Sequence, residues 1–248
     1  KMTLLASSPS DIESLAVLFP DARIEATGDP RWDRVKARSS KGNPRAAALI
    51  ASHAHWPRPW GVLGSAWPAD LKVWGELVRD TTAIGTLWVV PHRVDPASLK
   101  PVEDGIRSRG LAPRRTSLSG EGLSDGPGSR PACVLVDEMG FLSELYAAAD
   151  WAYVGGGFGD GVHSTIEPAL HGIPVAIGPA KAERFPEIAE LRSTGQLTLV
   201  QVREQLAGWL SDLTLRGYAR KSEWLGQAEA RLGATDRVWR RISEAMGA

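Results

Sequence analysis

Residues 150–179 constrain the fold of this chain more than any other segment. A short apolar run, Trp151–Val154, meets three consecutive glycines, and a helical pattern then opens at Ser164 and closes at Gly172. A second apolar run over residues 173–177 ends in Gly-Pro. Strand, glycine loop, helix N-terminus and strand, in this order, place backbone N–H groups against a phosphate in α/β proteins. The segment therefore predicts an α/β fold that binds a nucleotide or a nucleotide-sugar.

The same alternation of apolar runs and helical patterns continues along most of the chain. Besides the two runs above, strands are predicted over residues 3–6, 24–27, 60–64, 86–90, 132–137 and 197–200. Strands separated by helices are typical of a doubly wound, mostly parallel, Rossmann-like sheet. We expect one such nucleotide-sugar-binding domain over residues 1–248, with C-terminal helices over about residues 202–248. The Ser- and Gly-rich stretch over residues 114–130 is expected to be a long loop.

Composition excludes several classes of protein. Lys and Arg total 29, as do Asp and Glu, so the net charge is zero and a general nucleic-acid binder is disfavoured. No apolar run approaches the roughly 20 residues that cross a bilayer, and the first residues lack the core of a signal peptide, so we expect a cytoplasmic protein. The single cysteine, Cys133, lies in an apolar run that predicts a buried, inert thiol. The dispersed histidines predict no metal site, and no cofactor is expected.

Candidate ligands follow the strands, because such sheets bind ligands outside the carboxyl ends of their strands. Ser65 suits a phosphate or simply caps the next helix. His92 and Arg93 follow the fourth predicted strand; an arginine there binds a phosphate with two parallel hydrogen bonds, or else forms a structural ion pair. Met139 and Gly140 precede a helix whose free N–H groups can read the edge of a base.

The glycine loop carries the clearest chemistry. Gly156 and Gly157 lack a Cβ and let a ligand come close to the backbone. His163 and Ser164 stand at the mouth of the following helix, and the carboxylate of Glu167 can accept hydrogen bonds from vicinal ribose hydroxyls. The alternative is that Ser164-x-x-Glu167 is a capping box, in which both side chains are structural.

Several of these segments, taken together and in order, resemble one family. The sequence is similar to the C-terminal, donor-binding half of the bacterial 3-deoxy-D-manno-octulosonic acid (Kdo) transferases. The matching segments are residues 27–33 (family T-G-N-x-K-F-D), 63–68 (strand ending in S-T), 90–93 (P-R-H), 136–142 (D-x-M-G-E-L), 154–168 (G-G-S-F…G-G-H-N-P-L-E-P) and 177–188 (G-P…N-F-x-E-I). The chain departs from the family pattern at Phe141, Ser164 and Arg184 and reverses the order of His92 and Arg93.

The resemblance implies the C-terminal half of a two-domain GT-B glycosyltransferase. It implies binding of CMP-Kdo or a similar nucleotide-sugar, and transfer to a lipid A precursor in lipopolysaccharide biosynthesis at the cytoplasmic face of the bacterial inner membrane. The general base of the family lies in an N-terminal acceptor domain that this chain lacks, so no catalytic residue is expected here and the isolated chain is expected to be inactive. Arg93 would stabilise the leaving group, and the other candidates above would bind the donor.

Two other interpretations stay open. One is a non-catalytic nucleotide-binding or regulatory module, and the other is an enzyme like the UDP-sugar 2-epimerases. The basic stretch over residues 31–45 predicts either a solvated loop or peripheral contact with anionic lipid headgroups.

Overall fold

A computed structural model describes residues 2–75, 77, 84–118, 132–216 and 220–247. The loop prediction is wrong for residues 114–115, which form a short strand, and residues 116–118 form a single 3-10 turn. Residues 119–130 of the predicted loop lie outside the described residues. The strands are β1 (Thr3–Ala6), β2 (Arg23–Ala26), β3 (Trp60–Ala66), β4 (Thr86–Pro91), β5 (Arg114–Arg115), β6 (Ala132–Leu135), β7 (Trp151–Val154), β8 (Val175–Ile177) and β9 (Leu197–Leu199).

Helices separate most of the strands, and three consecutive helices follow β9. The helices are α1 (Pro9–Leu18), α2 (Pro30–Ser39), α3 (Pro44–Ser52), α4 (Pro68–Trp74), α5 (Pro96–Arg107), α6 (Leu142–Ala148), α7 (Ile166–Leu170), α8 (Pro186–Ser193), α9 (Arg203–Arg216), α10 (Lys221–Ala230) and α11 (Ala234–Met246). None of these described helices has the length and apolar character needed to cross a bilayer.

Seven strands form one parallel sheet in the order β5-β6-β4-β3-β7-β8-β9. This confirms the predicted doubly wound α/β fold. β1 and β2 form a separate, two-stranded parallel sheet, so the first two predicted strands do not join the main one.

The main sheet has a switch point at its centre. From β3 the chain builds β4, β5 and β6 on one side, and it then returns to build β7, β8 and β9 on the other. Ligands of open α/β sheets bind where the chain reverses in this way. The topology therefore directs attention to the carboxyl ends of β3 and β7.

Both faces of the sheet are covered, and alternate residues of each strand enter opposite cores. Along β4, Leu87 and Val89 pack on one face and Trp88 on the other, and Cys133 shares the face of Leu87. Burial on both faces explains why the strands read as continuous apolar runs rather than alternating ones. Cys133 is buried, as predicted, and burial raises the pKa of its thiol to about 12.

The loop interpretation of residues 31–45 is wrong, because most of the stretch is helical. The Asp29 carboxylate accepts a hydrogen bond from the Arg31 backbone at 2.9 Å and caps α2, and Pro30 occupies its first turn. Trp32 is 2% exposed and anchors the helix in the core. Asp29-Pro30 is a helix start signal in the sequence, but the basic composition of the following residues favoured a loop interpretation.

Candidate functional site

A cleft of about 610 Å³ lies at the carboxyl ends of β3, β4, β6 and β7. Seven of the ten residues singled out in the sequence line it: Ser65, His92, Met139, Gly140, His163, Ser164 and Glu167. They come from four separate strand ends, as the switch-point rule predicts. The structure therefore brings most of the predicted site into one place.

Ser65 holds an unusual backbone conformation at the edge of the cleft. Its φ is 50°, in the left-handed region, at the point where the β3–β4 ladder shifts register between Leu63 and Ala66. Such a conformation costs a non-glycine residue about 1 kcal/mol or more. A Cβ on Gly155 would collide with the Ser65 carbonyl, so the loop after β3 and the glycine loop after β7 touch backbone to backbone.

Asp70, which sequence reasoning missed, joins these two loops. Its side chain accepts hydrogen bonds from the backbone of Trp67 at 3.0 Å, the backbone of Gly156 at 2.9 Å and the hydroxyl of Tyr153 at 3.1 Å. Asp70 is 1% exposed, and burial raises its pKa while the hydrogen bonds oppose the rise. Its position in the sequence could have identified it, because Asp70 lies in the first helical turn after β3.

Gly156 and Gly157 are not among the described residues that line the cleft. Gly156 has φ of 90°, and a Cβ there would collide with the Gly161 carbonyl. A Cβ on Gly157 would meet the backbone of Gly178 at 2.5 Å. These contacts give both glycines a packing reason for lacking a side chain, and their contact with a ligand stays a prediction.

Three aromatic rings form a cluster at one end of the cleft. The Trp67 indole N–H donates to His163 Nε2 at 3.0 Å, and the His92 ring stacks on both, with centroid distances of 4.8 Å to Trp67 and 4.3 Å to His163. Burial, and then the neighbouring His92, lower the pKa of His163. Because Nε2 accepts this bond, the neutral His163 ring carries its proton on Nδ1.

Glu167 is a largely buried carboxylate on the cleft wall. α7 begins at Ile166, with Thr165 as its N-cap and no side-chain capping bond, so the predicted capping box is not formed. The side chain of Glu167 is 19% exposed. Burial raises its pKa; the nearby Arg38 opposes this rise and Glu144 adds to it. Glu144 also lines the cleft, and its Oε2 is buried without a hydrogen-bond partner. Buried carboxylate oxygens normally have partners, and hydroxyls of a ligand would supply them.

The loop after β6 is held against another segment of the chain. Gly140 has φ of 87°, and its carbonyl accepts a hydrogen bond from Asn43 Nδ2 at 3.0 Å. Glu138 pairs with Arg45 at 2.6 Å. Met139, between them, is 69% exposed and lines the cleft.

Arg93 lies away from the cleft wall. It lines a neighbouring cavity of about 150 Å³ and pairs with Asp95 at 3.4 Å. Arg93 therefore forms an ion pair, as the alternative interpretation predicted. Because the arginine side chain is 70% exposed, this ion pair stabilises the fold little. A role in leaving-group stabilisation would require Arg93 to turn away from Asp95.

The turn between α2 and α3 supplies a wall that sequence reasoning missed. Arg38, Lys41 and Asn43 line the cleft, and an Arg38 nitrogen lies 3.9 Å from the Glu167 carboxylate. Within the described part of the chain, no group of His, Cys, Asp or Glu is arranged to hold a metal ion. The cleft therefore offers two cations, three carboxylates and a histidine cluster.

The fold and the cleft define the Rossmann-like type of domain that forms half of the GT-B glycosyltransferases. Comparison with known proteins confirms the predicted resemblance to the C-terminal half of the Kdo transferases. The chain is 38% identical over 127 residues to the 3-deoxy-D-manno-octulosonic acid transferase of Chlamydophila psittaci, an alignment that covers 48% of this chain and 26% of that protein. No protein-family model matches the chain.

Two solved structures share the fold. The C-terminal CMP-Kdo binding domain of WaaA from Acinetobacter baumannii superposes with a TM-score of 0.61 at 20% identity, covering 77% of this chain and 98% of that domain. Anabaena Alr3699/HepE, solved in complex with UDP-glucose, gives a TM-score of 0.58 at 14% identity, covering 98% of this chain and 63% of that protein. The chain spans about a quarter to a third of the length of the first curated relatives that it matches.

Proposed function

We propose that this chain is the donor-binding part of a glycosyltransferase that transfers Kdo from CMP-Kdo to a lipid A-type acceptor in lipopolysaccharide biosynthesis. The observation that carries the proposal is the convergence of Ser65, His92, Met139, Gly140, His163, Ser164 and Glu167 in one cleft. These residues lie in the segments that resemble the Kdo transferases. The sequence relation to those enzymes supports Kdo as the transferred sugar, and the fold shared with the CMP-Kdo binding domain of WaaA supports CMP as its carrier.

In the proposed reaction an acceptor hydroxyl attacks the anomeric carbon of Kdo. A new C–O bond forms, the bond between that carbon and the phosphate oxygen breaks, and CMP leaves with the electron pair. The hydroxyl proton passes to a general base, which the resemblance assigns to an acceptor domain outside this chain. The part of this chain is to hold the donor and to stabilise charge on the departing CMP.

Five of the cleft residues have a place in this scheme. Glu167 accepts hydrogen bonds from the ribose hydroxyls, and the backbone at Met139 and Gly140 contacts the base. His163 and Ser164 lie beside the phosphate. The raised pKa of Glu167 suits this role, because a buried carboxylate gains most from new hydrogen-bond donors.

Glu167→Ala tests the assignment of the ribose site. We expect CMP affinity, measured by calorimetry, to fall by more than about tenfold, because charged hydrogen bonds of this kind contribute about 1.5–3 kcal/mol each. Thermal unfolding should change little, since the one ion pair of Glu167 is long, at 3.9 Å. Glu204→Ala, an exposed residue in the first turn of α9, is the matched control. Unchanged CMP affinity in Glu167→Ala would contradict the role.

A UDP-sugar donor is the second candidate, because the fold also matches a protein solved with UDP-glucose. Thermal shifts with CMP and UDP at the same concentration separate the two, since a ligand stabilises the fold by RT ln(1 + [L]/Kd) and the tighter ligand gives the larger shift. A larger shift with CMP supports a Kdo transferase, and a larger shift with UDP supports the alternative. Binding without transfer to any acceptor in the presence of a complete partner domain would favour a regulatory module.

We also propose that residues 1–248 form one donor-binding domain ending in the C-terminal helices from about residue 202. A lipid A-type acceptor would bring this domain to the cytoplasmic face of the bacterial inner membrane, with peripheral membrane contact. Co-sedimentation of the chain with vesicles that contain anionic lipid tests this contact, and its absence at low salt would leave membrane attachment to the acceptor domain.

A further inference from the structure

We propose that Arg38 and Lys41 bind the phosphate of the nucleotide, which makes the turn between α2 and α3 the anion-binding wall of the cleft. The inference rests on the proposed function, because it takes the ligand to be a nucleotide. It gives a role to part of the basic stretch over residues 31–45, most of which is helical rather than a loop.

The charges of the cleft require a cation for such a ligand. Glu138, Glu144 and Glu167 line it, and Glu138 is already paired with Arg45. Of the described lining residues, only Arg38 and Lys41 carry a permanent positive charge. His163 cannot substitute near neutral pH, since burial lowers its pKa. A phosphate placed beside two carboxylates without a cation would be strongly disfavoured.

The earlier candidate for this role lies elsewhere. Arg93 lines the neighbouring cavity and pairs with Asp95 at 3.4 Å. Arg38 already lies on the cleft, 3.9 Å from Glu167. The geometry therefore favours the α2–α3 turn over the end of β4.

The wall is held in place by contacts across the cleft edge. Asn43 caps α3 by accepting from the backbone of Arg45 at 3.0 Å, and its amide donates to the Gly140 carbonyl at 3.0 Å. Arg45 pairs with Glu138 at 2.6 Å. These contacts join the turn to the loop that is expected to contact the base. A phosphate and a base attached to one ribose would thus meet two connected walls.

Arg38 is available for exchange. Its side chain is 73% exposed, and an exposed ion pair at 3.9 Å contributes little. Arg38 can therefore leave Glu167 for a phosphate at small cost, and Glu167 is then free to accept the ribose hydroxyls. The competing explanation is that Arg38 only offsets the helix dipole in the last turn of α2, a contribution that does not depend on a ligand.

Calorimetry with CMP and cytidine on the 248-residue chain tests the proposal. We expect Arg38→Gln and Lys41→Gln each to weaken CMP binding about tenfold, the effect of one lost charge-assisted hydrogen bond, with cytidine binding unchanged. Arg34→Gln is the control, because Arg34 is an exposed cation on the same helix and does not line the cleft.

Each other outcome overturns the proposal in a distinct way. Unchanged CMP affinity in both variants would show that neither Arg38 nor Lys41 binds the phosphate. Equal losses for CMP and cytidine indicate a structural role. Wild-type protein that binds no CMP refutes the proposed function itself.

Discussion

His171, directly after the helix that carries Glu167, should make the fold sensitive to acid. Burial, and then the nearby Lys221 and Lys36, lower the pKa of His171 to about 4. In the unfolded chain the ring titrates near its usual pKa of about 6.5. Between these values the unfolded chain binds the proton and the folded chain does not, so stability falls as the pH falls through this window.

The magnitude follows from the two pKa values. One pKa unit corresponds to about 1.4 kcal/mol. Lowering the pH from 7 to 5 passes through about 1.5 units below the unfolded pKa of about 6.5, which gives a loss of unfolding free energy of about 2 kcal/mol. Urea unfolding of wild-type protein and of His171→Gln at both pH values measures it. We expect the wild type to lose about 2 kcal/mol more than the variant over this interval.

His55→Gln is the control, because His55 is exposed, and this variant should follow the wild type. Residual acid sensitivity in His171→Gln is expected from His53 and His163, whose pKa values burial also lowers. Equal losses in wild type and His171→Gln would refute the reasoning, as would an NMR titration of His171 in the folded protein with a pKa near 6.5.

Two further substitutions test the architecture around the cleft. Gly64→Ala should destabilise the protein by about 2 kcal/mol in urea unfolding, because the new Cβ would collide with the Tyr146 hydroxyl. Adding Tyr146→Phe should recover part of the loss, and no recovery would show that the strain has another source. Asp70→Ala should lower the free energy of unfolding by about 3 kcal/mol and weaken CMP binding, because it leaves three hydrogen-bond donors unpaired and no longer joins the loops after β3 and β7. Full CMP affinity in the folded variant would contradict this positioning role.

Much of the sheet could be predicted because its strands are buried on both faces. Burial on both sides produces continuous apolar runs, and the ends of those runs gave the candidate ligands. Ser65, His92 and Glu167 were found in this way, and the structure places them on one cleft. The separation of β1 and β2 from the main sheet could not be read, because a strand carries no local sign of which sheet it joins.

The rest of the candidate site depends on contacts that are distant in sequence. Arg38 and Lys41 lie on an exposed helix end, and nothing in their spacing indicates that the turn after α2 folds against Gly140. Asp70 acts through Gly156, 86 positions along the chain. Arg93, in contrast, was predicted to lie in the site and lines the neighbouring cavity instead. A residue at the end of a strand need not point toward the switch point.

α2 is the feature whose position has the widest consequence. Its first turn is joined to the segment after β2, where Arg31 bridges Asp29 and Glu187, and Asp33 accepts from the backbone of Gly233 at 2.6 Å. Its other end carries Arg38 onto the cleft. A helix of ten residues is a stiff rod about 15 Å long. A displacement of the segment after β2 or of the C-terminal helix would therefore be expected to move Arg38 at the other end of α2.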